Sequence, residues 1–325
     1  MKRIKCALIG LGRIGSLLEK DSLREKPCTH AGAIAENRDC VLSGGCDTSR
    51  KKRDLFREQW DCLSVYSKLE VLLRKEEPDI VHIATPVETH LDMVRRVIPF
   101  NPGLIILEKP VASNSKDALE ILKLHRSEKA RILINHERRY SIDYIRVKNH
   151  IDSRRFGHLL SVSAKLYMGQ NNGAEEILLH DGTHLIDVIQ FLTSCDLKLM
   201  YSRKYKKDVE NLFILCRAGN LPVSIEVGQK RDYIMFEMDL IFSKGRIRIG
   251  NGLYEEFESE KSPYYEGMNS LKRLGAKRPR LTGYFSNMMK DAVLCFSDKT
   301  REPISNARTG YSVLSLIDRV RKSLK

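Results

Sequence analysis

Three hundred and twenty-five residues exceed one ordinary domain, and at roughly 150 residues per domain they predict two lobes with a cleft. A composition of 42% hydrophobic and 30% charged residues excludes a disordered, collagenous or low-complexity chain. No apolar run reaches the ~18 residues of a membrane span, and MKRIKCALIGLGRIG meets glycines where a signal peptide needs apolar chain, so the expected address is cytoplasmic. A balance of 56 basic against 42 acidic residues suits anionic partners without choosing among them.

The run at 3–9 is mostly apolar and ends in glycines, and the residues from Leu17 are compatible with a helix: strand, tight turn, helix. Val41 and Leu42 lead a second strand to Asp47, followed by a charged helix over 50–60. Residues 63–66, the helix 68–75, the strand 80–84 stopped by Thr85-Pro86, a helix over 89–98, the strand 104–107 and a helix over 116–126 continue the alternation. This grammar predicts an α/β chain with an N-terminal doubly wound parallel sheet, a Rossmann domain over residues 1–130. From 131 the pattern changes. A strand at 131–134, a helix near 142–151, a strand near 159–168, one helix over 175–193 and runs near 197–205, 210–217, 222–229, 233–241 and 246–249 predict a second, α+β domain over 131–325 with a large, mostly antiparallel open sheet. Helices over 283–298 and 307–323 close the chain, and the last of them is expected to pack back on the first domain.

Gly10-Leu11-Gly12-Arg13-Ile14-Gly15 is G-x-G-x-x-G between a strand and a helix, the context in which bare backbone approaches a pyrophosphate at a helix amino terminus. Arg13 and Ile14 belong to the same cofactor-binding loop. Asp47, with Thr48 beside it, ends the second strand, where a carboxylate accepts ribose hydroxyls and repels a 2′-phosphate. That favours NAD over NADP. Asp47 lies farther from Gly15 than the ~20 residues of the fingerprint, so residues 21–30 read as inserted. Arg50, Lys51, Lys52 and Arg53 are the opposing signal for NADP.

GLGRIG, ATPVETH at 84–90 and Glu108-Lys109-Pro110, in that order, together resemble the Gfo/Idh/MocA family, named for glucose–fructose oxidoreductase, inositol dehydrogenase and rhizopine catabolism. NHERRY at 135–140, DGTHLIDVIQFL at 181–192 and Asn287, Asp291, Pro303 and Gly310 extend the resemblance over nearly the whole chain. It implies hydride transfer between a nicotinamide and a sugar-like secondary alcohol or ketone, and a homodimer or homotetramer joined through sheet faces. It also implies that Lys109 hydrogen-bonds the reacting hydroxyl, that Glu108, Thr85, Pro86 and His90 lie by the cofactor, and that His184 is catalytic.

The chemistry asks for such groups independently. A hydroxyl that loses hydride must also lose its proton to a base within hydrogen-bond reach, and lysine or histidine serves. On the expected helix, His180 and His184 share a face, as do His184 and Asp187. The family pattern has aspartate where this chain has His180, so either His180 is a second catalytic proton carrier, or Asp181 reaches the substrate, or part of the dyad is lacking. Asn135, Arg138, Arg139 and Tyr140 open the second domain and offer donors to a sugar, carboxylate or phosphate, or serve as boundary ion pairs. His30, in Thr29-His30-Ala31, is placed over the substrate.

No third ligand accompanies the two imidazoles, so no metal is expected, and eight cysteines without a C-x-x-C pair read as free thiols. The patches Lys204, Lys206, Lys207 and 272–280 carry no nucleic-acid-binding motif and read as solvated loops or as attraction for an anionic substrate. The competing reading is a dinucleotide-binding sensor or scaffold that lost its chemistry, for which His180 is the main support.

Overall fold

In a computed structural model of the protein, apolar strands stack side by side in an order that sets where a ligand reaches the backbone. The structure describes residues 3–127, 131–169, 173–207, 209–277, 279 and 281–324. The chain divides into two compact units, Met1–Ser141 with Gly283–Tyr311, and Ile142–Thr282 with Ser312–Lys325.

The first unit holds β1 (Ile4–Ile9), β2 (Cys40–Cys46), β3 (Val65–Tyr66), β4 (Ile80–Ile83), β5 (Leu104–Leu107) and β6 (Arg131–Ile134). All pair in parallel, in the order β3-β2-β1-β4-β5-β6. Every residue of β4 and β5 is buried, as a sheet covered by helices on both faces requires. Those helices are α1 (His30–Glu36), α2 (Arg50–Trp60), α3 (Leu69–Glu76), α4 (His90–Val97) and α5 (Ser115–Ser127). The parallel doubly wound order is the expected one. One strand joins a different sheet from that expected: β6, read as the start of the second domain, pairs with β5 and closes the first sheet.

A second difference lies after the glycine loop. Residues 17–20 form only a 3-10 turn, and α1 begins at His30, capped by the Thr29 hydroxyl that accepts the Gly32 N–H. The His30 N–H donates to Ile14 O at 3.1 Å and the Ala31 N–H to Gly15 O at 3.0 Å. This is the helical i to i−4 pattern with a detour in the middle. His30 takes the place residue 18 would hold in an uninterrupted helix, so residues 18–29 are surplus to it. Without them Asp47 follows Gly15 at the roughly 20-residue spacing of the fingerprint. Glu19 holds the detour in place, its carboxylate accepting from Cys28 N–H and the Thr29 hydroxyl at 3.2 and 2.6 Å.

The second unit opens with α6 (Ile142–Asp152) and β7 (Leu159–Tyr167), then α7 (Ala174–His180) and α8 (Gly182–Thr193). There follow β8 (Leu197–Lys206), β9 (Glu210–Ala218), β10 (Leu221–Gly228), β11 (Met235–Phe242), β12 (Gly245–Gly250), β13 (Leu253–Lys261) and β14 (Asn269–Arg273). Together with β7 they form one eight-stranded sheet, β14-β13-β12-β11-β7-β10-β9-β8. It is antiparallel except where β10 meets β7. Along β9 buried and open side chains alternate, the signature of a sheet with one covered face. Strands β13 and β14 were not foreseen, because charge dominates their sequences. The single helix expected over 175–193 is two. It breaks at Asp181, and Gly182 opens the second helix against the side chain of Leu178.

Helix α9 (Tyr284–Ser297) belongs to the first unit, and α10 (Ala307–Ser323) passes from the first unit into the second at Tyr311 and Ser312. The core of the first unit runs from Cys6, Ile80, Leu104 and Leu133 to Phe285, Met288 and Cys295 of α9.

Candidate functional site

In a parallel sheet all strand carboxyl ends lie on one edge, where ligands of such folds bind. Gly10, Asp47, Ala84, Glu108 and Asn135 each follow directly on the last residue of β1, β2, β4, β5 and β6. The glycine loop stands first among them. Gly10 adopts φ +91°, and a Cβ on it would collide with the Ala84 carbonyl, as one on Gly15 would with Gly10 O. Gly12 differs: the nearest atom to a Cβ there is Lys52 Nζ at 3.8 Å. Two glycines are therefore needed by the protein's own packing, and the third leaves open space before bare backbone. Arg13 is exposed, whereas the Ile14 side chain packs into the core and only its main chain remains for a cofactor.

Asp47 fits a ribose. Its Oδ2 accepts the Leu11 N–H at 3.0 Å and its Oδ1 the Ser49 N–H at 2.9 Å, which fixes the carboxylate beside the loop. Of the four cations that favoured NADP, Arg53 donates to Asp47 O and Thr48 O, and Arg50 lies 3.7 Å from Asp54. Lys52 Nζ lies 3.6 Å from Asp47 Oδ2. Thr48 itself is exposed.

At the ends of β4, β5 and β6 the carboxylate of Glu108 gathers donors. Its Oε1 accepts from Asn135 Nδ2 at 2.5 Å and from His30 Nε2 at 2.8 Å, and its Oε2 from the Lys109 N–H at 3.2 Å. Burial alone would raise the pKa of this group, yet the hydrogen bonds from His30 and Asn135 and the neighbouring charge of Lys109 outweigh it and hold the carboxyl below its ordinary value. Asn135 Oδ1 is buried without a hydrogen-bond partner, an acceptor position that a bound cofactor or substrate hydroxyl would satisfy. Gly12, Asp47 and this oxygen together fit a nicotinamide dinucleotide.

Three expected ligand residues turn out to be internal. His30 does not overhang a substrate: it is wholly buried, with both ring nitrogens engaged, because the detour returns it to the helix. His90 is buried too, its Nε2 and Nδ1 lying 3.0 and 2.9 Å from Thr85 O and Pro110 O. It braces the turn after β4 against the turn after β5. Tyr140 is in the core, its hydroxyl donating to Asp291 Oδ2 at 3.0 Å and accepting the Ser305 N–H. Arg139 likewise donates inward, to Ile304 O. Thr85 and Pro86 stay at the strand end, with the Thr89 hydroxyl 2.7 Å from that of Thr85. Lys109 and Arg138 are partly exposed.

The helix break corrects the histidine pair. His180 ends α7 and His184 lies in α8, so the two do not share one helix face. His180 is about half exposed, 3.5 Å from Glu176. His184 and Asp187 remain one turn apart within α8, with Asp187 buried and His184 partly so. Asp181 caps that helix, its carbonyl accepting the His184 N–H at 3.1 Å, and its side chain is partly exposed.

Two residues were missed. His82, hidden in an apolar strand run, lies 2.9 Å from His30 between their Nδ1 atoms. A lone polar residue in such a run was the available signal, since it needs a buried partner. Glu137 follows in the turn after β6, where burial, opposed by Arg138 and Lys109 and aided by Glu108, pushes its carboxyl up to about 7.

Elsewhere in the first unit a cavity of about 1090 Å³ lies at the amino-terminal strand ends, lined by Asp79, Gly103 and Arg131 among others. It is at the opposite edge from the glycine loop. Lys204 pairs with Glu175 and Lys272 with Glu260. Arg278 and Arg280 of the second basic patch lie outside the described residues. Among the described residues no group of three His, Cys, Asp or Glu is placed to hold a metal, and no helix is long and apolar enough to cross a membrane.

Comparison with known proteins agrees with the fold. Inositol 2-dehydrogenase of Rhizobium meliloti is 24% identical over 160 residues, 49% of this chain and 44% of that protein. The match thus spans about half the length of that relative. A dehydrogenase from Chromobacterium violaceum superposes with a TM-score of 0.84 at 13% identity, covering 100% of this chain and 96% of that one. The WlbA dehydrogenase from Bordetella pertussis, solved with NADH and UDP-GlcNAcA, has a TM-score of 0.74 at 19% identity, covering 99% and 96%. These structural likenesses show the fold. Residues 4–136 match the model of the Gfo/Idh/MocA oxidoreductase family, with its NAD-binding Rossmann fold.

Proposed function

We propose that the protein is an NAD-dependent dehydrogenase that acts on a secondary alcohol or ketone of a sugar-like substrate, anionic or nucleotide-linked. The observation that carries the reading is the common edge at which Gly12, Asp47 and the Glu108-Lys109 turn follow β1, β2 and β5. Bound NAD supplies the hydride acceptor in oxidation, and as NADH the donor in reduction. The chain holds it by the open backbone at Gly12, by Asp47 toward the adenosine ribose and by Asn135 and the turn after β4 farther along the edge. An aspartate there opposes a 2′-phosphate by charge, and two of the four nearby arginines and lysines are already committed to other groups.

Lys109 Nζ takes the hydroxyl proton as the alcohol becomes a ketone, and returns it in the reverse direction. Glu108 fixes the main chain of that lysine, so the amine is presented from a clamped turn. His184 enters as a second proton carrier from the resemblance alone, with Arg138 and Asp181 as substrate contacts. The inositol dehydrogenase relative and the nucleotide-sugar acid bound to the Bordetella protein support a polyol or sugar substrate. The basic excess of the chain favours an anionic one.

The test uses the chain's one tryptophan. Trp60 Nε1 donates to Ser16 Oγ at 2.8 Å, directly after the glycine loop, so its fluorescence reports on that loop. NADH is expected to bind more tightly than NADPH, with Asp47→Ala weakening NADH by about tenfold, the loss of a buried charged acceptor. Equal or tighter NADPH binding that ignores Asp47→Ala would sink the cofactor assignment. With a panel of sugars, cyclitols and sugar acids, turnover that vanishes in Lys109→Ala while NADH still binds would exclude the sensor alternative.

A further inference from the structure

Four side chains from four elements meet beneath the Glu108-Lys109 turn, and their proton inventory is determined by one orphaned atom. Glu108 follows β5, Asn135 follows β6, His82 lies in β4 and His30 opens α1. All four are buried. Between the His30 and His82 Nδ1 atoms, 2.9 Å apart, there is room for one proton. His82 Nε2 is buried without a partner. A bare lone pair is tolerated in such a position better than an N–H, so the proton of His82 sits on its Nδ1 and is donated to His30 Nδ1. That leaves the proton of His30 on Nε2, where it is donated to Glu108 Oε1. Burial pushes His82 well below the ordinary histidine range, in keeping with a neutral ring. The chain of bonds ends at His82 Nε2, so it does not conduct protons onward.

We propose that His30, oriented by His82, is a positioning residue for Lys109, acting through Glu108: it keeps the buried carboxylate ionised and aimed at the Lys109 main-chain N–H. This deepens the dehydrogenase reading above and rests on it for its kinetic consequence. The groups around Glu108 are His30 from α1, His82 from β4, His90 from α4, Lys109 beside it, Asn135 after β6 and Glu137 in the turn that follows. Of these the Nε2–H of His30 and the Nδ2–H of Asn135 touch its Oε1 directly. With His30 gone, burial acts on a carboxylate that has lost its principal donor, and the pKa of Glu108 rises.

The variants are His30→Phe, which keeps a ring against Phe285 but donates nothing, and His30→Gln, which restores an N–H near the Nε2 position. For His30→Phe the ratio of kcat at pH 6 to kcat at pH 8 is expected to fall about tenfold below that of the wild type, one pH unit of carboxyl titration. His30→Gln recovers the ratio. A residue that served packing alone would lower kcat equally at both pH values, and that result overturns the proposal.

Infrared spectroscopy at pH 6 gives a readout that needs no substrate. A protonated-carboxyl band is expected in His30→Phe beyond that of the wild type and absent from His30→Phe/Glu108→Gln, a subtraction that removes the contribution of Glu137. The band without any turnover by the wild type would uphold the positioning role and defeat the dehydrogenase reading. Turnover without the band would do the reverse. Should His30→Phe fail to fold, nitrogen-15 NMR of the wild-type histidines decides: a His30 Nε2 that carries no proton cannot donate to Glu108, and the proposal falls.

Discussion

Glu137 shows how one side chain ties the fold to pH. Burial pushes its carboxyl from 4.5 up to about 7, against the pull of Arg138 and Lys109. The folded state therefore binds a proton between those values that the unfolded chain has released, so the contribution of Glu137 to stability is full below about 4.5 and is lost as the pH rises through about 7. The shift corresponds to about 3 kcal/mol at most. Glu137→Gln removes the titration, and its denaturation midpoint is expected to fall less than that of the wild type between pH 5 and pH 8. Parallel midpoint curves would show that the carboxyl is not strained. Residues of this kind were hard to read from sequence, because a buried charge is defined by neighbours from other strands. The glycine loop, Asp47 and Glu108-Lys109 were legible because each follows a strand end and has a chemical reason to be there. His30, His90 and Tyr140 were expected beside a ligand and lie instead inside the protein. All three spend their polar atoms on the protein itself.

The detour between the glycine loop and α1 is the clearest lesson at the level of elements. Its presence was legible as an overlong spacing to Asp47, but its exit and re-entry were not. Those depend on His30 and Ala31 N–H groups finding Ile14 and Gly15 carbonyls across the gap. The same bonds predict that a chain with Leu17 joined directly to His30 still forms the Rossmann unit. It loses the Thr29 cap, worth about 1 kcal/mol, and the bond from the Gly283 N–H to Glu25 at 2.5 Å. A lower melting temperature with NADH affinity within about threefold of the full chain, less than 1 kcal/mol, is the expected outcome. Loss of cooperative melting would show that residues 18–29 hold the unit together. Helix periodicity misled in one place: apolar residues on both sides of Asp181 kept a helical rhythm through the break there. Strands β13 and β14 escaped because paired charges, such as Lys272 with Glu260 and Arg273 with Glu255, replace apolar alternation along them.

For the whole molecule, the open face of the eight-stranded sheet is the feature with the largest consequence. Phe213, Leu215 and Ile241 are exposed large apolar side chains on strands whose alternate residues are buried, and Tyr201 is exposed opposite Leu215 on β8. A depression of about 200 Å³ lies among Tyr201, Phe213, Leu215, Lys165 and Glu226. Lys165 and Arg217 supply positive charge there, and Glu226 and Asp239 negative charge. Apolar side chains rimmed by both signs of charge suit a copy of the same surface turned by a two-fold axis, which opposes unlike charges without a second kind of partner. A homodimer through this face is the expected assembly, with tetramers requiring a further contact. A stable pair needs on the order of 800 Å² from each copy, and two buried carboxylates facing apolar side chains would cost more than such an interface gains. Sedimentation equilibrium of the wild type is expected to give twice the chain mass, and Phe213→Asp with Leu215→Asp the chain mass alone, with NADH binding kept because the glycine loop lies in the other unit. A monomeric wild type at micromolar concentration, or a double variant that remains dimeric, would remove this face as the seat of assembly.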